Sequence, residues 1–184
     1  MLRIENDQWF DPFAAEGMVQ GLWFRLLRCR ADRDMEPLRE SLSPGLYASE
    51  CAALLEDAKA GRDRLALDPG IRNAELSYMG AEEGRERLLC RMLTRYTPRI
   101  VERDTLRVLS EGPETFFREE WELSRPEGTL TRPPSGIANE ICPGCGSELR
   151  VCVSCKCPVC GTFVKRPKTG WVVDGITVRE ERKP

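Results

Sequence analysis

The residues best equipped for chemistry are cysteines. Cys142-Pro143-Gly144-Cys145-Gly146 and Cys157-Pro158-Val159-Cys160-Gly161 are two copies of one CPxCG device. A thiolate is a soft anionic ligand, and four of them at tetrahedral corners satisfy zinc completely. Two Cys-x-x-Cys pairs joined by a short hairpin supply that set. The proline restricts the backbone inside each turn. The glycine after the second cysteine accepts a left-handed conformation, which lets backbone amides point at the sulfurs. Eleven residues separate Cys145 from Cys157, enough for two short strands and a turn. The spacing predicts a zinc ribbon with one structural Zn2+ held by Cys142, Cys145, Cys157 and Cys160. Iron is the alternative metal, since a rubredoxin-type site uses the same knuckles.

A third pair, Cys152 and Cys155, lies between the knuckles. Its readings stay open: alternative ligands, either in a two-zinc cluster or as replacements; a redox-sensitive pair; or simply two small side chains in the hairpin. A four-cysteine site keeps no open coordination position, so its expected role is structural and not catalytic.

The rest of the composition narrows the classes. Six of the nine cysteines fall in clustered Cys-x-x-Cys pairs, which favours metal and a reducing compartment, and the expected location is cytoplasmic. The first eleven residues carry Glu5, Asp7 and Asp11 and do not read as a signal peptide. No run is apolar enough to span a membrane. Histidine is absent, which removes the commonest general acid/base and every Cys/His or Ser/His/Asp nucleophile. The net charge of −2 gives no global attraction to nucleic acid. From Cys142 onward, however, eight basic residues face four acidic ones. Lys156, Lys165, Arg166 and Lys168, with Phe163 and Trp171 as stacking partners, make nucleic-acid binding an alternative function.

The elements that must position these residues follow in chain order. Asp11-Pro12 reads as a helix start, and Val19, Leu22, Trp23, Leu26 and Leu27 recur at helical spacing, predicting a helix from Pro12 to Arg30. Its aromatic beginning (Trp9, Phe10, Phe13) and middle (Trp23, Phe24) suit a sheet-packing face, with a peripheral membrane or partner contact as the alternative. Ser43-Pro44 opens a second helix, whose stripe is Leu46, Tyr47, Cys51, Leu54, Leu55 and Ala58 and which Gly61 closes. Cys29, Cys51 and Cys90 stand alone and read as small buried residues. Strands are predicted at Ile71–Met79, Arg87–Val101, Thr105–Leu109 and Thr115–Arg125. In the second, Leu88, Cys90, Met92, Thr94 and Tyr96 share a face; in the last, Phe117, Trp121 and Leu123 do. Pro126–Asn139 reads as a linker. Asp174-Gly175, between Trp171-Val172-Val173 and Ile176-Thr177-Val178, reads as a hairpin turn. Helices first and antiparallel strands after them make an α+β layout.

This order of parts resembles the bacterial relatives of Tim forty-four, the membrane-associated tether of the mitochondrial protein-import motor. The resemblance runs from about Phe13 to Val173. It is carried by Asp34-Met35-Glu36-Pro37-Leu38 followed by Leu42-Ser43-Pro44-Gly45-Leu46-Tyr47, by Glu119-Glu120-Trp121 with Arg125, and by the linker, the CPGCG and CPVCG knuckles and Trp171. It implies a nuclear-transport-factor-two-like cone, with helices packed on a curved antiparallel sheet, followed by a small β zinc ribbon. The expected domains are an α+β domain over 1–125, a linker over 126–139, and the zinc ribbon with a C-terminal hairpin over 140–184. The implied function is a non-catalytic binding or adaptor module with a protein partner and peripheral membrane contact. An enzyme built on the cone pocket would draw on Tyr78, Tyr96, Asp104 and Glu119.

Overall fold

The computed structural model describes residues 4, 7–131, 140–141, 148–149, 159–160 and 170–181. The first helix, α1, spans Pro12–Asp32. Asp11 caps it with an extended backbone, and its carboxylate accepts the Phe13 N–H at 2.9 Å. Pro12 sits in the first turn, where a missing N–H costs nothing. Arg33 ends the helix in the left-handed region, at φ 60°. The buried stripe is Ala15, Val19, Leu22, Trp23, Leu26 and Cys29, the three-and-four spacing that places side chains on one face.

A 3-10 turn over Glu36–Leu38 leads to α2, Pro44–Lys59, which Ser43 caps by accepting the Leu46 N–H at 3.4 Å. Here the expected stripe is only partly covered. The buried residues of α2 are Glu50 and Asp57, while Leu55 is 55% exposed. Ion pairs tie this helix down: Glu50 takes both Arg30 Nε and Nη2, and Asp57 takes Arg62 and Arg64.

Five strands form one antiparallel sheet: β1 (Arg62–Glu82), β2 (Arg85–Glu102), β3 (Val108–Glu111), β4 (Thr115–Pro126) and, far along the chain, β7 (Val172–Glu181). The order is β1-β2-β4-β7, with β3 pairing the last turns of β2. A separate two-stranded pair joins β5 (Glu140–Ile141) to β6 (Glu148–Leu149). The hairpin between β1 and β2 turns at Glu83 and Gly84, both at positive φ, which suits the right-handed twist of the strands. β1 starts nine residues earlier than the sequence pattern predicts. Asp68-Pro69-Gly70 looks like a strand breaker, but the sheet absorbs it as a bulge, with Asp68 at φ 48° and the register shifting between Leu67 and Gly70.

The alternation of β2 is cleanly expressed: Leu88, Cys90, Met92 and Thr94 are all buried. Their partners on β4 are Leu123, Trp121, Glu119 and Phe117, so this face of the sheet meets α1. The opposite face is charged. Arg91 pairs with Glu120 at 2.9 Å, Arg118 with Glu181 at 2.7 Å, and Arg95 with Glu114.

Two expectations are corrected. The helix-packed cone followed by a zinc ribbon is not what the chain builds: the architecture is a large antiparallel sheet with two helices. Both helices pack chiefly along β1 rather than wrapping the sheet. The hairpin at Asp174-Gly175 is also absent. Val172–Glu181 is a single strand that bulges between the partners of Glu122 and Leu123 and pairs with β4 throughout. The physical reason is burial. Val173 opposite Leu123 and Ile176 opposite Trp121 extend the core, whereas an isolated two-stranded hairpin would leave them in water. Backbone bonds from Ser43 N to Val173 O (2.8 Å) and from Val173 N to Ser41 O (2.9 Å) cover the outer edge of β7 at its start.

Candidate functional site

The cysteine-rich segment is an excursion between two neighbouring strands of the sheet. The described chain leaves β4, runs to Thr131, and re-enters at Gly170 just before β7. Arg125, the penultimate residue of β4, gathers both ends. Its side chain is 0% exposed. Nη2 donates to Asp7 Oδ2 at 2.8 Å, Nη1 to Thr131 Oγ1 at 3.2 Å, and Nε to Glu86. The guanidinium lies 4.5 Å from the centroid of Trp171, a cation–π distance. Asp7 also accepts the Thr131 hydroxyl at 2.7 Å and its backbone N–H at 3.1 Å.

One cation thus serves two carboxylates in a place closed to water. Such burial is tolerated only when the remaining lone pairs find donors, and Thr131 supplies them. Burial by itself would raise the pKa of Asp7. Hydrogen bonds from Thr131 and Arg125 outweigh it and hold the carboxyl below its ordinary 3.8. Gly170 completes the junction. It adopts φ +79°, and a Cβ there would meet Thr129 Cγ2 at 2.8 Å, so only glycine allows the returning chain to pass so near Thr129 and Arg125.

A second buried polar group lies deeper. Glu119 is 4% exposed and accepts three hydrogen bonds from neutral donors: Trp23 Nε1 at 2.7 Å, Thr94 Oγ1 at 2.8 Å and Trp121 Nε1 at 2.9 Å. These bonds pin α1 to β2 and β4. Tyr96 stacks on Phe117 with ring centroids 4.4 Å apart. Burial first, then the charge of Glu119, pushes its phenol pKa above the ordinary value, so it stays protonated at neutral pH. Of the four residues considered for an enzyme, the fold brings Tyr78, Tyr96 and Glu119 to the core-facing side of the sheet, Tyr78 on β1 opposite Leu88, while Asp104 sits in the exposed turn after β2.

An open groove of about 350 Å³ runs between the end of α1 and the half-covered stripe of α2, with Arg33 and Arg103 at one side and Tyr47, Cys51 and Leu54 at the other. Both arginines are engaged by the buried carboxylate of Asp63.

Of the predicted metal ligands, Cys142, Cys145 and Cys157 lie outside the described residues, as do Cys152 and Cys155. Cys160 is described, exposed and in a turn with Val159. Four thiolates are a donor set suited to zinc. Among the described residues no group of three or more His, Cys, Asp or Glu side chains is arranged to hold a metal ion. The basic residues Lys156, Lys165, Arg166 and Lys168 also lie outside the described residues. Among the described helices, none is long and apolar enough to cross a membrane.

Asp7 and Glu86 have no motif that announces them. Arg125 stands out in the sequence as part of a family resemblance and Trp171 also as a candidate stacking residue, and their meeting follows from β7 pairing with β4.

No protein-family model matches this chain. No curated protein matches it either. Among solved structures it is similar to the crystal structure of the intermembrane space region of chloroplast protein ARC6, with TM-score 0.46 and 13% identity over 94% of this chain and 98% of that one.

Proposed function

We propose that the protein is a non-catalytic binding module. In this reading the sheet and its helices are a scaffold, and the segment 132–169 is the part that meets a protein partner, in keeping with the adaptor role implied by the resemblance to Tim forty-four relatives. The observation that carries it is the junction at Arg125, which anchors both ends of the cysteine-rich segment to the core through one buried guanidinium. A segment fixed at both ends loses less entropy on binding than a free tail, which favours recognition. Cys142, Cys145, Cys157 and Cys160 would hold a zinc ion, which supplies cross-linking and no open coordination position. The packing of Glu119 and Tyr96 supports a non-catalytic reading: the buried carboxylate accepts three hydrogen bonds that join α1 to the sheet, and the phenol ring stacks on Phe117.

The test compares the full chain with a variant in which a short turn joins Thr131 to Gly170. The full chain should carry about one zinc with four protected thiols and should cross-link to a protein partner that the shortened variant does not capture, while both keep the circular dichroism of the sheet. Turnover of a substrate that Glu119→Gln abolishes without unfolding, or partner capture unchanged in the shortened variant, would overturn the proposal.

A further inference from the structure

The outer side of α1 carries a stripe of exposed aromatic residues and glycines that stays open among the described residues. Phe13, Gly17, Gly21, Phe24 and Arg28 follow one another at spacings of three and four residues, which is one side of a helix, and Trp9 lies in the turn before it. Phe13 is 80% exposed, Trp9 45% and Phe24 39%. A Cβ built at Gly17 or Gly21 meets nothing within 4 Å, so no neighbour in the fold requires either glycine. Glycine in mid-helix is destabilising relative to alanine. Two of them between aromatic residues make a shallow saddle flanked by ridges, which lets another helix come close. Phe24 is held in place, since it packs edge-on against Trp23 at 4.8 Å and Trp23 is bonded to Glu119. A contiguous apolar strip rimmed by charge is a common form of interaction surface.

The charges say what fits it. The first half of the stripe is flanked by Asp11 and Glu16 and by no basic residue. The second half is flanked by Arg25 and Arg28, with Asp32 as its one acid. Arg28 bonds Asp32 at 3.3 Å within the same exposed turn, an i,i+4 contact worth little and easily exchanged. Two such helices laid antiparallel match acid to base at both ends; laid parallel they do not. With Gly17 of one helix over Gly21 of the other, Phe13 falls beside Arg25 of the second copy and Phe24 beside Ala14. From this we infer that α1 is the self-association surface of the protein, an antiparallel contact between two copies related by a two-fold axis.

Sedimentation equilibrium of the full chain over a concentration series tests this, with Gly17→Gln/Gly21→Gln and Arg28→Glu as variants. The wild type should show a reversible monomer–dimer equilibrium. The glutamine pair should raise the dissociation constant at least about tenfold while leaving the thermal midpoint unchanged or higher, because glutamine is the better helix former and has room. Arg28→Glu should weaken the dimer several-fold at low salt and less at high salt. A wild type that stays monomeric throughout, or a glutamine pair that dimerises with an unchanged constant, overturns the inference.

Discussion

Replacing Arg125 by methionine removes the one cation from a site that holds two carboxylates. The side chains of Asp7 and Glu86 are 2% and 7% exposed, so solvent cannot take over the role of the guanidinium. Breaking a buried pair by deleting one partner costs about 3–5 kcal/mol, most of it the desolvation of the charge left behind. Arg125→Met should therefore destabilise the sheet domain by about that amount, lowering its thermal midpoint by roughly 6–20 °C. Methionine fills much of the arginine stem's volume, so packing loss contributes little. The triple variant Arg125→Met/Asp7→Asn/Glu86→Gln should recover much of the loss, because it leaves no orphaned charge. Chemical denaturation followed by tryptophan fluorescence is the assay, since Trp171 reports directly on Arg125. The pH dependence adds a sign. Asp7 has a folded pKa below its unfolded value. Its stabilisation is thus complete above about pH 4 and is lost as pH falls through the lower folded value. Without Arg125 the Asp7 carboxylate takes up a proton more readily, so the gap between wild type and Arg125→Met should narrow on acidification. A variant within about 1 kcal/mol of wild type at neutral pH, or a triple variant no better than the single, would refute the reasoning.

Gly170→Ala should cost about 1–3 kcal/mol by the same assay, since alanine must adopt φ +79° against the Thr129 methyl group. Glu119→Gln keeps the shape but replaces one acceptor oxygen by an N–H2 that faces an indole or hydroxyl donor. It should destabilise by about 1–3 kcal/mol and alter the near-ultraviolet dichroism of Trp23 and Trp121. The Cys90 thiol, pushed up to about 12 chiefly by burial and then by the charge of Glu16, should ignore a thiol reagent at pH 8 until the chain is denatured. Chelation should expose four further thiols in the native protein while the far-ultraviolet dichroism of the sheet persists; collapse of the sheet signal together with the metal would show that both share one folding transition.

Local chemistry was legible in the sequence wherever it depends on neighbours in the chain. Asp11-Pro12 and Ser43-Pro44 start helices because capping and proline geometry act within three residues. Leu88, Cys90, Met92 and Thr94 declare a buried strand face because alternation is a property of the strand alone. What the sequence could not decide is where distant segments meet. Asp174-Gly175 has the composition of a hairpin turn, yet Val173 and Ile176 gain more by burial against Leu123 and Trp121 than a hairpin would provide. Asp68-Pro69-Gly70 looks like an end, yet β2 supplies a partner on both sides of the bulge. In α2 the period of the apolar residues identified the helix but not the face that is buried, because Arg30, Arg62 and Arg64 draw Glu50 and Asp57 inward. The junction of Asp7, Glu86, Arg125, Thr131 and Trp171 is decided by tertiary structure alone. Its members span most of the chain, and a single buried guanidinium acquires its partners only when β7 has paired with β4 and carried Trp171 back to the place where the chain left the sheet.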